Sequence, residues 1–136
     1  MVARSDDRGS DPDTGVCKVS THTDLPGPMH KLSSEVDGDV PAGMSLSVYD
    51  MPGGDRPVVP VEISHWSLAP GADSGDDEHG VRELWLIAAG RGEMTCGGRR
   101  LEVAAGDVVS IEPSQPHRLV NSGNQPVEVF SVWWTG

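Results

Sequence analysis

From Met44 onward the chain never runs far without a turn residue, and this most limits what it can fold into. Eight short apolar segments follow one another: "MSLSVYD", "VEISHWSLA", "ELWLIAA", "GEMTC", "RLEVA", "DVVSI", "HRLVN" and "VEVFSVWW". Between them stand "MPGGDRP", "APGADSGDD", "AGRG", "CGGRR", "AAGD", "EPSQP" and "NSGNQP". Gly, Pro, Asn and Asp supply the backbone angles and local hydrogen bonds that turns require. Several segments alternate apolar and polar residues with period two, the mark of a half-buried strand. No window of about 11 residues carries a convincing helical stripe. The pattern predicts an all-β sandwich or barrel. Gly97-Gly98, between "EMTC" and "RRLEV", predicts a two-residue hairpin turn.

Residues 1–40 are different. They hold eight acids, four bases and few large apolar groups. Such a stretch cannot bury enough surface to offset chain entropy. We read 1–40 as an acidic tail, with the first 20–25 residues disordered and "LPGPMHKL" as an extended arm. Residues 41–136 are then the barrel domain.

The formal net charge is −11 over 136 residues. Nucleic-acid binding needs Lys and Arg on phosphates, so nucleic acid is not an expected partner. Anionic membranes are disfavoured by the same sign. No apolar run approaches 18 residues and the N-terminus has no signal-like apolar stretch, so a cytoplasmic location is expected. Cys17 and Cys96 form no CxxC pair, which excludes a cysteine zinc module and leaves no disulfide framework. Cys96, beside the hairpin, is expected on an edge strand.

Some polar residues fit a plain barrel badly. Residues two apart in a strand face the same way, so Glu83, Trp85 and Ile87 share a face. Asp77 and His79 have the same parity if the chain is already extended there. Carboxylate and imidazole are expensive in an apolar interior unless paired or bound to a cation. His117 opens a later strand and could meet them. Two histidines and a carboxylate match zinc sites and the two-histidine, one-carboxylate site of iron(II). On spacing alone, which arises often by chance, a loop histidine beside an exposed glutamate is the more ordinary account of the pattern.

"PGADSGDDEHGVRELWLIAAGRG" resembles the first cupin motif, G-x5-H-x-H-x3,4-E-x6-G, through Gly71, His79, Glu83 and Gly90. "GDVVSIEPSQPHRLVN" resembles the second, G-x5-P-x-G-x2-H-x3-N, through Gly106, His117 and Asn121. Pro113 is one place late, and Ser114 replaces the motif glycine. The resemblance covers about residues 60–134. It implies a double-stranded β-helix, or jelly roll, holding one divalent metal on His79, Glu83 and His117. Asp77 stands where the family usually has its first histidine. It is either a fourth ligand and proton carrier, or a water-facing loop acid with Asp73, Asp76 and Glu78. An oxygen-rich set favours zinc, with iron(II) or manganese as alternatives, over copper.

Around this centre, Trp85 and Trp134 are the candidate walls of a substrate pocket. His65 is either a cavity acid or base, or a rim residue. Arg82 and Arg118 neighbour ligands in sequence, so alternation points them outward. Asn121 is expected to support its turn. The resemblance implies a metalloenzyme acting on a small molecule, with non-redox zinc chemistry favoured over an iron(II) dioxygenase. A non-catalytic metal or small-molecule binder is the other class. "HWSLAPGADSGDDEH", "ELW" and "VFSVWW" are also similar to small zinc cupins of specialised metabolism. Those work with an aminoacyl-tRNA-synthetase-like partner and rearrange an N-hydroxylated amino-acid ester to a hydrazine. A homodimer is expected, since cupins often pair through their sheets and edge strands need cover.

Overall fold

A computed structural model describes residues 29–52 and 61–135. The reading of the first 20–25 residues as disordered, and most of "MPGGDRP", lie outside the described residues.

Among the described residues there are nine strands and no helix. They are β1 (Ser34–Val36), β2 (Met44–Tyr49), β3 (Glu62–Leu68), β4 (Arg82–Ala89), β5 (Arg91–Cys96), β6 (Arg99–Ala104), β7 (Val108–Ile111), β8 (His117–Val120) and β9 (Val127–Trp134). The larger sheet runs β1-β2-β3-β9-β4-β7 and the smaller β6-β5-β8. All pairings are antiparallel. Consecutive strands cross between the sheets at Gly90, at residues 105–107, at residues 112–116 and at residues 121–126, which makes the jelly-roll barrel. Each of the eight expected strands is present.

β1 was not expected. It lies inside the stretch assigned to the tail, and its three residues are all exposed. Among the described residues its backbone ties it down, through pairing of Ser34 to Val36 with Tyr49 to Ser47. A strand held by its backbone at a sheet edge leaves no apolar alternation to read. Cys96 also departs from expectation, because β5 is the middle strand of the smaller sheet. There the thiol is half-buried, and burial raises its pKa despite the nearby Arg99.

Leu68, Ile87, Met94, Leu119, Val127 and Val129 fill the space between the sheets. Each such side chain contributes about 1.5–3 kcal/mol when fully buried. The Gly97-Gly98 hairpin forms as expected, with φ of 56° and 84°, the left-handed values its turn type requires. Asn121 supports its turn: Nδ2 donates to the Leu68 and Gln125 carbonyls at 3.0 and 2.8 Å, and Oδ1 accepts from the Gly123 amide.

Ser114 explains the altered second motif. Its φ is 63°, and among the described residues no other non-glycine has a positive φ. The serine therefore adopts the conformation that the motif glycine adopts freely. A left-handed non-glycine residue costs about 1–2 kcal/mol, partly offset by the greater freedom glycine loses on folding. Ser114→Gly is expected to raise stability by about 0.5–1 kcal/mol, measured by denaturant midpoint.

Candidate metal centre

Four chemistry-bearing side chains reach one end of a cavity of about 300 Å³. Strand alternation delivers two of them. β4 buries Glu83, Trp85 and Ile87 on one face, and His117 is buried at the start of β8. Asp77 is placed by backbone pairing. Its amide donates to the His117 carbonyl and its carbonyl accepts from the His117 amide, both at 2.9 Å. The loop before it is pinned to β8 as well. Ser74 N donates to Leu119 O at 2.9 Å, and Leu119 N donates back to Ser74 Oγ at 2.9 Å. Asp73 was expected in the solvated loop, but it is paired with Arg118 and also accepts from the Gly75 amide. The guanidinium beside it holds its carboxyl below the usual carboxylate value. Asp76 and Glu78 remain exposed, as expected.

The donor atoms converge. Those of Asp77, His79 and His117 all lie within 4.8 Å of one another. Asp77 Oδ2 is 4.0 Å from the Nε2 atoms of both His79 and His117. Glu83 Oε1 is 2.9 Å from His79 Nε2 and 3.4 Å from His117 Nε2. Ligand atoms bound tetrahedrally to zinc at about 2.0–2.1 Å lie about 3.3 Å apart. The observed spacings bracket that value.

The surrounding hydrogen bonds prepare the set. His117 Nδ1 donates to the Gln115 carbonyl at 2.8 Å, which turns Nε2 toward the cluster. Trp85 Nε1 donates to Glu83 Oε2 at 3.0 Å, leaving Oε1 for the imidazoles. Trp85 also stacks edge-on against His117. His79 is less complete: its Nδ1 is buried with no partner among the described residues, so Glu83 does more to orient this ring than any acceptor behind it.

The electrostatics make the same demand. Burial alone would raise the Glu83 pKa, but hydrogen bonds from His117 and Trp85 and the charge of both imidazoles hold it below the usual value. Burial alone would lower His117, but Glu83, the Gln115 carbonyl and Asp77 bring it above the usual value. Each group stabilises the charged form of the other, as in a partly buried ion pair. The donor set fits a hard or borderline divalent ion.

Two expected site residues fall elsewhere. His65 is on the outer face of β3, because Ser64, Trp66 and Leu68 are the inward set. Its Nε2 lies 2.7 Å from Glu128 Oε1 and its ring stacks on Phe130. Trp134 shares the outward parity of Phe130 and Val132, and it is Trp133 that lines the cavity. The inner face of β9 is Val127, Val129 and Ser131. A serine on the inner face disguises the parity of the strand, so the sequence alone points to Trp134 in place of Trp133. Trp85 lines the cavity as expected. Asp37, from the segment after β1, also lines it and was missed, since nothing in its local sequence marks it. Arg82 and Arg118 point away from the cluster, toward Glu112 and Asp73.

Comparison with known proteins agrees with this architecture. The family described as Cupin domain matches residues 64–133, about half of the chain. The chain belongs to that family. It is 26% identical to a Cupin 2 conserved barrel domain protein of Salinispora arenicola, with a TM-score of 0.63 over 82% of this chain and 92% of that one. It is 30% identical over 71 residues to the oxalate-binding protein of Thermotoga maritima, covering 52% of this chain and 59% of that one. It is 40% identical over 48 residues to an uncharacterized protein of Methanocaldococcus jannaschii, covering 35% and 38%. The chain thus spans less than two thirds of the length of each of these two curated relatives.

Proposed function

We propose that this cupin is a zinc enzyme performing non-redox chemistry on a small neutral or amine-bearing molecule. The convergence of Asp77, His79, Glu83 and His117 on one end of a small cavity carries the reading. Among the described residues, the cavity lining includes Asp37, Asp77 and Glu83 but no Lys or Arg. The lining carboxylates together offset the charge of a divalent ion, so a dianion such as oxalate would meet little net positive charge there. An amine, by contrast, is welcome beside Asp37 and Asp77.

The finer form of the proposal is rearrangement of an N-hydroxylated amino-acid ester to a hydrazine. The free amine attacks the hydroxylamine nitrogen, the N–O bond breaks, and the carboxylate leaves with the electron pair. One proton is released, and no outside oxidant is needed. Bound zinc would supply Lewis-acid polarisation of an ester oxygen. Asp77, whose side chain is 70% exposed, is the group able to accept the amine proton. Trp85 and Trp133 wall the cavity and exclude water from the reacting nitrogen. The ester would come from an aminoacyl-tRNA-synthetase-like partner. The proposed homodimer would use the outer face where Leu86 and Val108, paired across β4 and β7, stay exposed.

The test is metal analysis of the purified chain followed by incubation with synthetic ester. Bound zinc and hydrazine formation are expected. Asp77→Asn is expected to slow the reaction about 100-fold, the scale of a lost general base. Bound iron with oxygen uptake would favour the dioxygenase reading. Zinc without turnover would leave a binding protein, a role supported by likeness to the oxalate-binding relative.

A further inference from the structure

Two serines stand where a barrel of this kind should have apolar side chains. Ser64 and Ser131 are 4% and 2% exposed, and both line the cavity. They are directly opposite each other in the β3–β9 pairing. The same rung continues to Val48 on β2 on one side and to Trp85 on β4 on the other. Their neighbours along the wall are Leu46, Trp66 and Trp133. A hydroxyl in such a wall costs free energy unless it has a partner.

Among the described residues neither hydroxyl donates a hydrogen bond. Trp66 Nε1 donates to Ser131 Oγ at 2.8 Å. A hydroxyl has one donor and two acceptor positions, so the tryptophan occupies an acceptor and leaves the O–H to point elsewhere. Ser131 Oγ donates to no described residue. Ser64 Oγ has no hydrogen-bond partner among the described residues, and the two serines do not bond each other. Alanine or valine would have closed this wall without penalty.

Their position relative to the metal centre is set by register. Ser131 pairs with Trp85 and Trp133 pairs with Glu83 on adjacent strands. Ser131 and Glu83 are therefore diagonal neighbours on one face, about 7–8 Å apart. That is the length of a small molecule with a donor atom at each end.

We infer that Ser64 and Ser131 form a hydrogen-bond donor pair that binds a carbonyl or carboxylate oxygen of the molecule held at the metal. Trp66 is a positioning residue that fixes the Ser131 hydroxyl. This rests on the metal-site reading above and adds the part of the ligand recognised away from the metal. It explains why polar residues sit on the inner faces of β3 and β9.

The test uses the cobalt(II)-loaded chain, whose visible spectrum reports ligand binding. The probes are 3-oxobutano-, 4-oxopentano- and 5-oxohexanohydroxamate, each compared with the same chain length lacking the keto oxygen. At least one keto probe is expected to bind about tenfold tighter than its partner, the worth of one well-placed hydrogen bond. The Ser64→Ala/Ser131→Ala double variant is expected to lose that preference while keeping its cobalt. No preference in any pair, or a preference that survives in the variant, would overturn the inference. A wild-type chain that takes up no cobalt would instead overturn the metal-site reading itself. Thermal melts of the single variants provide an independent check. Ser64→Ala should melt no lower than wild type, whereas Ser131→Ala should melt lower because Trp66 Nε1 loses its partner. A clear loss of stability in Ser64→Ala would make that hydroxyl structural and remove it from the pair.

Discussion

His117→Ala is expected to reduce bound divalent metal from near one ion per chain to background. His117 is 3% exposed, its Nε2 faces both Glu83 and Asp77, and its other nitrogen is fixed on Gln115. Losing even an outer-sphere partner of a metal ligand typically costs 10–100-fold in affinity, so loss of this ligand should exceed about 100-fold. Elemental analysis after dialysis reads the effect directly. Equal metal content in wild type and variant would end the metal-centre reading. The pH dependence gives a second signature. In the metal-free chain the raised His117 pKa contributes stability that is complete below the ordinary histidine value of about 6.5. That contribution is lost as pH rises through the raised folded value. Metal binding needs the neutral imidazole, so the metal's contribution grows over the same window. Thermal melts between pH 6 and 8 should therefore fall with pH without metal and rise with pH in the presence of zinc. Parallel slopes would argue that His117 does not touch the ion.

Gly90→Ala is expected to destabilise the barrel by more than about 3 kcal/mol. Gly90 joins β4 to β5, where the chain leaves the larger sheet for the smaller, and its φ is 81°. A Cβ there would lie 2.4 Å from the Pro126 carbonyl oxygen and 2.9 Å from Val127 Cα. Both are backbone atoms and cannot rotate away. The left-handed conformation adds about 1–2 kcal/mol for any residue with a Cβ. Gly71 makes the contrast. Its φ is 80°, but a Cβ there meets nothing within 4 Å. Gly71→Ala should therefore show the conformational cost alone. Denaturant unfolding of both variants separates strain from clash, and equal losses would remove the steric part of the argument.

How legible the molecule is differs from element to element. The eight longer strands are visible in the sequence because period-two burial writes itself into residue type. Glu83, Trp85, His79 and His117 are legible by parity and by the cupin spacings. β1 is not, because backbone pairing holds it. Trp133 and Trp134 could be told apart only once Ser131 was seen to face inward. His65 is polar and outward, as alternation with Trp66 permits, but one strand cannot reveal which face is the inner one.

Asp77 shows where the division falls. The sequence determined its type, its offset from His79 and therefore the oxygen-rich character of the site. Only the tertiary structure brings that carboxylate beside the two histidines. Paired hydrogen bonds between the Asp77 and His117 backbones bring two residues 40 positions apart into one rung. That rung sets both imidazoles 4.0 Å from the Asp77 oxygen. Local preference and periodicity act over a few residues and specify which face a side chain takes. Which faces meet across the barrel is settled by non-local pairing, and that pairing set the acidic loop beside two histidines from other parts of the chain.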